Sequence, residues 1–438
     1  MPLIRPFRAL RYRQEAVGDL RLVVSPPYDV ISPEQQRTLL ERDPRNVVRL
    51  DLPPIEPGDE PDDRYRRAAR TLASWRSDGT LHKDPRPSVY AYEQAYRVPG
   101  TTAERTQRGF FARLRLEPFG SESGVRPHER TLAAAREDRY RLLRATGVNT
   151  SPVVGLYEDR LGESSALLDG IATARPDADV VDDDGVVHRM WQVPDDGTGD
   201  GAALALAAAA GRGPVTIADG HHRYETALRY RDERRMSRSC EEDPAFDYLL
   251  ALLLESTSQP LTVLPTHRVV RGAGGGSLAT DAARLFRVET GVGHDRLVRE
   301  FAGVDGGGHG RFGLWWKGDG GGGAILEARP DAFETLGLPG GPAVRGLDVT
   351  RLAAALEQLS QVDAEALAAG DRLVYTKSAA EAVALVDAGG DGDVALLLEP
   401  TPVGSILAVA AEGDVMPQKS TYFYPKPLTG LVINPHEW

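Results

Sequence analysis

The segment from Pro214 to Met236 constrains the fold of this chain more than any other stretch. Its first part, Pro214-Val-Thr-Ile-Ala218, is short and apolar and therefore predicts a buried strand. The polar residues Asp219-Gly-His-His-Arg223 follow, and from Tyr224 onward apolar residues recur at helical spacing. A strand that passes through a glycine turn into a helix indicates a protein in which helices pack on a sheet.

The rest of the chain repeats this alternation of strands and helices. Ser32-Pro33-Glu34 predicts a helix start, because serine caps a helix and proline fits its first position. Two β-rich runs around a Gly-Thr-Thr turn, Ser88 to Val98 and Arg108 to Leu116, predict a hairpin. Asn46 to Leu52 alternates like a strand. We therefore predict a mixed α/β fold of α+β character.

The length of the chain indicates several lobes, because 438 residues are many for one compact core. We predict an N-terminal α/β lobe over residues 1–195 and a central lobe over 196–340 that carries the Asp-Gly-His-His-Arg loop. A C-terminal α/β lobe over 341–438 is expected to pack on the core. The sequence leaves the oligomeric state open, with a homo-oligomer as one option.

Composition argues against several classes of function. The net charge is -12, so the surface repels DNA and anionic membranes, and we expect neither nucleic acid nor membrane as a partner. No run of 18 apolar residues occurs and the first residues do not resemble a signal peptide, which favours a cytoplasmic protein. The single cysteine, Cys240, excludes a disulfide framework, and its acidic neighbours disfavour a catalytic thiolate.

The loop after the predicted strand combines groups that bind phosphate and a divalent cation. The first N–H groups of a helix attract anions, and Gly220 lets the backbone approach a ligand. Asp219 is a hard oxygen donor suited to Mg²⁺, and Arg223 offers a bidentate fork to phosphate. His221 and His222 can donate hydrogen bonds or exchange protons near neutral pH. The alternative is a structural helix cap, but two adjacent histidines between an acid and an arginine favour a functional site.

Two other segments supply candidate acids. Arg126-Pro-His128-Glu129 stands just before a predicted helix, where Glu129 can act as general base or metal ligand with His128 as its partner. The alternative there is a solvated capping segment. Asp29 follows the rigid Pro27-Tyr28 turn, and it either caps that turn or acts as the base.

Two further segments supply candidate binding residues. His267 and Arg268 follow an apolar strand, and strand ends are where α/β sites collect ligands. Lys419 lies between prolines in a polar stretch that is surrounded by aromatic residues. That stretch is either part of a pocket or a loop that docks the C-terminal tail.

The loop also carries a family resemblance. Ile217-Ala-Asp-Gly-His-His-Arg-Tyr-Glu-Thr-Ala-Leu228 resembles the signature of a bacterial and archaeal family known as domain of unknown function one thousand and fifteen. Further sequence motifs resemble those of that family and occur in the same order: Ser25-Pro-Pro-Tyr-Asp-Val-Ile31, Asn46-Val-Val-Arg-Leu-Asp-Leu52, Arg126-Pro-His-Glu-Arg-Thr131, Leu264-Pro-Thr-His-Arg-Val269 and Met416-Pro-Gln-Lys-Ser-Thr-Tyr-Phe-Tyr-Pro-Lys426. The resemblance covers nearly the whole chain, but it supplies no reaction.

The Asp219-Gly-His-His-Arg223 core is also similar to the phosphate-binding box of the ParB/sulfiredoxin superfamily. That superfamily includes sulfiredoxin, which uses ATP, partition proteins that bind CTP, and nucleotide-dependent kinases of free serine. This second resemblance covers only the short loop segment. It implies a nucleotide-binding core with ATP or ADP and Mg²⁺ at residues 219–223, and a base from another acidic segment.

Together these features predict a nucleotide- and Mg²⁺-dependent phosphotransferase acting on a small hydroxylated metabolite, for which the resemblance suggests free L-serine. In this hypothesis Asp219 holds Mg²⁺, and Glu129 or Asp29 takes the hydroxyl proton. His221 and His222 are expected to take part in catalysis. The predicted nucleotide and phosphate contacts are Gly220, His221, His222, Arg223, His267, Arg268 and Lys419.

Two other functions use the same residues. A metal-dependent phosphohydrolase, such as a phosphoserine phosphatase, would replace the hydroxyl by water. A nucleotide-gated DNA-binding protein of the ParB type would need a basic helix-turn-helix segment, which this acidic chain does not show. The expected partners are therefore a nucleotide and a small polar metabolite.

Overall fold

The computed structural model describes residues 1–120, 122–129, 133–199, 201–237, 242–304, 307, 310–317, 321–360, 372–390 and 392–438. Cys240, for which the sequence predicts no catalytic role, lies outside these residues, as do Arg130 and Thr131. Strands and helices alternate along the described chain, which confirms the predicted mixed α/β class.

The strands and helices have the following bounds. The strands are β1 Ile4–Arg5, β2 Leu10–Tyr12, β3 Leu81–Lys83, β4 Ser88–Arg97, β5 Glu104–Arg115, β6 Val125–Arg126, β7 Val148–Asn149, β8 Val153–Tyr157, β9 Ala178–Val181, β10 Val187–Pro194, β11 Val215–Asp219, β12 Tyr248–Glu255, β13 Thr262–Leu264, β14 His267–Val270, β15 Phe286–Thr290, β16 Arg311–Trp316, β17 Gly322–Ala328, β18 Leu373–Thr376, β19 Val394–Leu398, β20 Tyr422–Tyr424 and β21 Asn434–Pro435. The α-helices are α1 Gln14–Val17, α2 Pro33–Arg42, α3 Val48–Asp51, α4 Asp63–Ser77, α5 Ala133–Thr146, α6 Glu163–Ile171, α7 Ala202–Ala210, α8 His221–Ser237, α9 Gly275–Asp281, α10 His294–Glu300, α11 Pro330–Glu334, α12 Pro342–Arg345, α13 Asp348–Ser360, α14 Ala379–Asp387 and α15 Val403–Ala411. Short 3₁₀ turns span Leu20–Leu22, Tyr28–Val30, Ala245–Asp247 and Ala282–Arg284.

The larger sheet has nine strands and is mixed in direction. Its order is β6-β11-β8-β12-β5-β4-β10-β9, and β1 pairs with β5 outside this path. β12 lies in the middle of this sheet, and every one of its residues is buried. Its almost continuous apolar sequence is typical of a strand that is covered on both faces. The predicted hairpin is confirmed as β4 and β5, with Tyr92 opposite Gly109. β8 is parallel to β12 and antiparallel to β11. Only the two-residue strand β6 separates β11 from the edge of the described sheet.

The smaller sheet has six antiparallel strands in the order β15-β17-β16-β19-β14-β18. One hydrophobic cluster joins the two sheets, since it contains Leu156 and Leu252 of the larger sheet as well as Phe312 and Leu396 of the smaller one. The C-terminal segment adds β20, which pairs with β13, and β21, which pairs with β7. This segment is therefore held by two separate parts of the chain.

One predicted strand is wrong. Within Asn46 to Leu52 the structure forms the short helix α3 instead. The Asn46 side chain explains the difference, because its amide donates to the carbonyl oxygens of Leu22 and Val24 while its Oδ1 accepts from the Val48 N–H at 3.0 Å. A side chain that bonds to nearby backbone groups in this way starts a helical turn and competes with strand pairing.

The predicted lobe boundaries fall inside the two sheets. The larger sheet takes strands from both sides of the 195/196 boundary, and the smaller sheet takes strands from both sides of 340/341. The three-lobe division stays a prediction, and backbone pairing crosses both of its boundaries. No helix in the described ranges combines the length and the apolar character that crossing a membrane requires.

Candidate functional site

A cavity of about 310 Å³ lies between the two sheets and the C-terminal segment. The larger sheet contributes the end of β11 and the start of α8, and the smaller sheet contributes the end of β18. The cavity is lined by residues 28–30, 129, 218–222, 266, 375–377, 419, 421, 422 and 426. Asp29, Glu129, Asp219, Gly220, His221, His222 and Lys419 therefore come together as the sequence analysis expected.

The predicted strand, turn and helix at the centre of the cavity are all present. The pairing register of β11 with β8 shifts between Ile217 and Asp219, and such an irregularity re-aims a side chain at a sheet edge. Gly220 has a φ of 90°, which side chains rarely permit, and a Cβ there would lie 3.0 Å from Arg223 Nε. The helix α8 begins at His221, so its unpaired N–H groups lie at the cavity.

The Asp219 carboxylate is paired with two cations. Its Oδ1 accepts from Lys426 Nζ at 2.6 Å, and its Oδ2 accepts from Arg223 Nη2 at 2.6 Å. Burial alone would raise the pKa of Asp219, but the two cations outweigh burial and hold the pKa below its ordinary value. Asp219 is therefore ionised near neutral pH, and both of its oxygens have partners.

Arg223 does not line the cavity. Its guanidinium donates to Asp219 and to the Pro152 carbonyl oxygen, and it lies 4.0 Å from the Asp29 carboxylate. The fork that the sequence assigned to phosphate is thus used within the protein, where it fixes Asp219 at the end of β11. A contact between Arg223 and phosphate stays a prediction.

Two buried histidines are connected beside the cavity. His128 bonds through Nδ1 to the Ile217 carbonyl oxygen, and its Nε2 lies 3.0 Å from Thr421 Oγ1. His221 Nε2 accepts the backbone N–H of His128 at 3.2 Å, and the ring centroids are 4.6 Å apart. Burial lowers the pKa of His128 to about 4 and holds the pKa of His221 well below its ordinary value. Both imidazoles are therefore neutral at pH 7.

His222 lines the cavity beside them. Burial lowers its pKa as well, although the charge of Glu225 opposes this effect. The sequence left two roles open for His221 and His222, hydrogen-bond donation and proton exchange near neutral pH. The lowered pKa values favour donation by neutral imidazoles over proton exchange.

Glu129 is the cavity acid whose surroundings best suit proton transfer. Its Oε1 accepts the Lys419 backbone N–H at 3.1 Å. Burial raises the pKa of Glu129 to about 7, although that hydrogen bond opposes the shift. A carboxyl group that titrates near neutral pH can both take up and release a proton under working conditions.

Asp29, the other predicted acid, lies on the 3₁₀ turn Tyr28–Val30 and also lines the cavity. Its side chain is 35% exposed, so it is better solvated than Glu129. The turn is anchored by Asp51, whose Oδ2 accepts the Tyr28 N–H at 3.1 Å. This position suits an electrostatic or ligand-binding role more than proton uptake.

Three lysines line the cavity. Lys377 and Lys426 place their Nζ atoms 4.0 and 4.4 Å from the ring centroid of Tyr422. Lys426 pairs with Asp219, whereas in the part of the chain that the structure describes neither Lys377 nor Lys419 forms an ion pair. Burial, together with the charges of the other two lysines, lowers the pKa of Lys377. Two cations are therefore available to an anionic ligand.

Lys419 was predicted from the sequence, whereas Lys377, which follows β18, and Lys426, in the same C-terminal segment as Lys419, were not. A compositional signal could have found them. The chain has only five lysines, although lysine and arginine together number 52, and three of the five line this one cavity. Lysine carries a compact ammonium and arginine a planar guanidinium, so the two are not interchangeable in a binding site. In a chain that uses arginine almost everywhere, the few lysine positions are therefore candidates for functional residues.

His267 and Arg268 do not line the cavity. Both are buried on β14, where His267 Nδ1 accepts the Leu398 N–H at 3.2 Å. Thr266, which precedes them, reaches the cavity instead, and its buried hydroxyl has no hydrogen-bond partner within the described ranges. The strand end predicted to contribute to the site does so through Thr266, and nucleotide contacts of His267 and Arg268 stay predictions.

The described residues of the cavity offer oxygen donors for a metal ion but form no dedicated metal centre. Among the described residues, no three or more His, Cys, Asp and Glu side chains lie close enough together to hold a metal ion. Asp219, the predicted Mg²⁺ ligand, already has Lys426 and Arg223 as partners. A magnesium ion here would need phosphate oxygens or water as its other ligands.

Comparison with known proteins supports the family resemblance. A family model described as "Protein of unknown function (DUF1015)" matches residues 4–350, which include the loop, Glu129 and β14. The family predicted from the sequence motifs is thereby confirmed. No curated protein matches the chain.

Several solved structures are similar to this chain at low sequence identity. A conserved hypothetical protein from Pyrococcus furiosus is 13% identical, with a TM-score of 0.33, and the match covers 73% of this chain and 91% of that one. SbnI with a C-terminal truncation, from Staphylococcus aureus, is 10% identical over 70% of this chain and 84% of that one, with a TM-score of 0.35. A free serine kinase in complex with AMP is 13% identical over 74% and 92% of the two chains, with a TM-score of 0.34.

Proposed function

We infer, for a chain that belongs to the family of unknown function DUF1015, that the cavity is the active site of a phosphotransferase. The enzyme would move a phosphoryl group from a nucleotide to the hydroxyl of a small metabolite. One juxtaposition supports this most directly. The cavity brings together Glu129, whose pKa burial raises to about 7, and two lysines, Lys377 and Lys419, for which no ion-pair partner exists among the described residues.

The cationic side of the cavity suits the phosphates of the donor. Lys377, Lys419 and the N-terminus of α8 offer positive charge and N–H donors to non-bridging oxygens. His221 and His222 add neutral donors at the same place. In phosphoryl transfer such positioning and charge stabilisation provide most of the catalysis. A volume of about 310 Å³ is near the lower end for ligand sites, which suits phosphates with a small acceptor.

The acid side of the cavity suits the acceptor. The hydroxyl oxygen of the metabolite would attack the terminal phosphorus and form a new O–P bond, while the bond from that phosphorus to the bridging oxygen of the nucleotide breaks. The hydroxyl proton would pass to the Glu129 carboxylate, and the shortened nucleotide would leave with the bridging oxygen and its negative charge. Glu129 would then release the proton to water, for which a pKa of about 7 is well matched.

Magnesium would neutralise phosphate charge when it is bound with the nucleotide. Asp29 and Asp219 are the carboxylates that would hold it, and Asp219 would use the lone pairs that its hydrogen bonds from Lys426 and Arg223 leave free. Phosphate oxygens and water would be the further ligands. Free L-serine is the acceptor that the sequence resemblance suggests. It is a small molecule whose hydroxyl could reach Glu129.

The reaction can be tested by ³¹P NMR. Purified protein is incubated with Mg²⁺, with ATP or ADP, and with a panel of small hydroxylated metabolites that includes L-serine. A phosphotransferase produces a new phosphomonoester resonance at the expense of the donor. Release of inorganic phosphate from phosphoserine or another phosphomonoester alone would identify a phosphohydrolase, and no change in either assay would contradict an enzyme of this class.

A matched pair of variants links the reaction to the cavity. Glu129→Gln removes the proton acceptor and keeps the size of the side chain, so product formation should fall by at least about a hundredfold. Glu158→Gln changes a half-exposed glutamate whose partner is the exposed Arg160, and it should retain the wild-type rate. Equal rates for both variants would rule out Glu129 as the base.

A further inference from the structure

A series of hydrogen bonds beside the cavity determines which imidazole nitrogens carry hydrogen. His128 is fully buried, and its Nδ1 bonds to the Ile217 carbonyl oxygen, which can only accept. The His128 Nδ1 must therefore carry the hydrogen. Because a neutral imidazole has one N–H, the His128 Nε2 is an acceptor, and the Thr421 hydroxyl donates to it across 3.0 Å.

The hydrogen on His221 is fixed in the same way. Its Nε2 lies 3.2 Å from the backbone nitrogen of His128, and a backbone N–H can only donate. The His221 Nε2 must therefore be an acceptor, so the hydrogen of this neutral ring is on Nδ1. His221 lines the cavity, and throughout the described ranges no protein group bonds to its Nδ1.

We propose that His221 is a fixed, uncharged hydrogen-bond donor, and that its Nδ1–H binds an anionic oxygen of a phosphate ligand while His128 and Thr421 act as positioning residues. A fixed neutral donor at a helix N-terminus stabilises charge that develops on an oxygen without itself losing a proton. The assignment of this oxygen to a phosphate rests on the proposed function. The direction of the hydrogen bonds does not.

The tautomer can be measured in the free protein. Long-range ¹H–¹⁵N NMR on the full chain labelled at histidine should give His221 a pyrrole-type Nδ1 and a pyridine-type Nε2. His128 should show the same pattern. Resonances are assigned with His221→Asn, and His294→Asn, at an exposed site, serves as the control. A pyridine-type Nδ1 on His221, or a doubly protonated ring at pH 7, would overturn the proposal.

Two substitutions test the donor directly, with inorganic pyrophosphate as the probe. Asparagine places its amide nitrogen near the position of Nδ1, whereas glutamine places its amide nitrogen near Nε2. His221→Asn should therefore bind pyrophosphate within about threefold of the wild type, and His221→Gln should bind about tenfold more weakly, as expected for one lost hydrogen bond. The reverse order, or wild-type affinity in both variants, would overturn the assignment of Nδ1.

Thr421 provides a readout for the positioning role. Thr421→Val removes the donor to His128 Nε2 and should move that nitrogen resonance, whereas Thr421→Ser should restore it. An unchanged resonance in Thr421→Val would overturn the hydrogen-bond assignment. Failure of the NMR prediction would leave phosphotransfer open, and failure to find phosphotransfer would leave the tautomer result unaffected, so the two can be judged separately.

Discussion

The Lys426 ammonium lies 2.6 Å from Oδ1 of Asp219, although 207 positions separate the two residues in the chain. This ion pair joins the C-terminal segment to the end of β11. The backbone of Lys426 is held in turn, because its carbonyl oxygen accepts from Gln94 Nε2 at 3.1 Å on β4. The cavity therefore depends on contacts between the larger sheet and the C-terminal segment.

Lys426→Met should destabilise the protein and the cavity together. The substitution leaves the Asp219 carboxylate, whose side chain is 15% exposed, with Arg223 as its only cationic partner among the described contacts. Removing one partner of a buried pair costs about 3–5 kcal/mol, and the remaining arginine should reduce that loss to about 2 kcal/mol. Urea denaturation measures it. Lys83→Met is the control, and an equal loss there would contradict a special role for the Lys426 pair.

Glu129→Gln should stabilise the protein at high pH, although the proposed function predicts that it removes activity. The folded pKa of Glu129 is raised to about 7 from an ordinary value of 4.5. Its contribution to stability is therefore fully present below pH 4.5 and is lost as pH rises through 7, because the fold disfavours the charged form. Wild type and variant should have equal unfolding free energies near pH 4.5. The variant should be more stable by about 1–3 kcal/mol at pH 8.5.

Urea titrations of both proteins at the two pH values test this relation. Equal stability at pH 8.5 would mean that Glu129 is ionised without cost, which would contradict a base that titrates near pH 7. A variant that is less stable at both pH values would indicate a structural carboxylate instead.

Gly220→Ala should unfold the turn between β11 and α8. The φ of 90° is unfavourable for alanine, and the new Cβ would lie 3.0 Å from Arg223 Nε. We expect a loss of about 1–3 kcal/mol, typical of a residue forced into a rare backbone region. Gly213→Ala is the matched control, because nothing lies within 4 Å of a Cβ there. Thermal melting should separate the two variants, and equal melting temperatures would show that the turn tolerates a side chain.

His128 should make the protein sensitive to acid. Its folded pKa is lowered to about 4 from an ordinary value of 6.5, because the buried ring resists protonation. The stability it contributes is present above pH 6.5 and is lost as pH falls from 6.5 through 4. His128→Gln should therefore lose less stability than the wild type between pH 7 and pH 4.5, by up to about 3 kcal/mol. An equal loss in both proteins would contradict a neutral, buried His128.

The centre of the site could be predicted from sequence because its signals are local. An apolar run, a glycine and apolar residues at helical spacing lie side by side in residues 214–236, and β11, Gly220 and α8 follow from them. Asn46 shows where a local pattern fails. The alternation around it predicted a strand, but its Oδ1 accepts the N–H of Val48 and a short helix forms instead. Its amide also bonds to backbone oxygens more than twenty positions away, which no local pattern reveals.

The rest of the site could not be predicted in this way, because its partners are far apart in the chain. Nothing near Arg223 indicates that its guanidinium pairs with Asp219 and Pro152 instead of facing a ligand. Nothing near Lys377 indicates that the end of β18 faces the start of α8. These facts depend on how the two sheets meet. The rarity of lysine is the one sequence signal that applies at any distance.

The most direct test of the proposal that this cavity binds phosphate is the affinity for ATP, measured by isothermal titration calorimetry at low and high salt. Wild-type protein should bind ATP, more weakly as salt rises. The double variant Lys377→Met/Lys419→Met should bind at least about tenfold more weakly, since each lysine is expected to make a charge-assisted contact. Lys83→Met/Lys317→Met, which changes the two lysines outside the cavity, should match the wild type. No binding by the wild type, or equal affinity in all three proteins, would contradict the account.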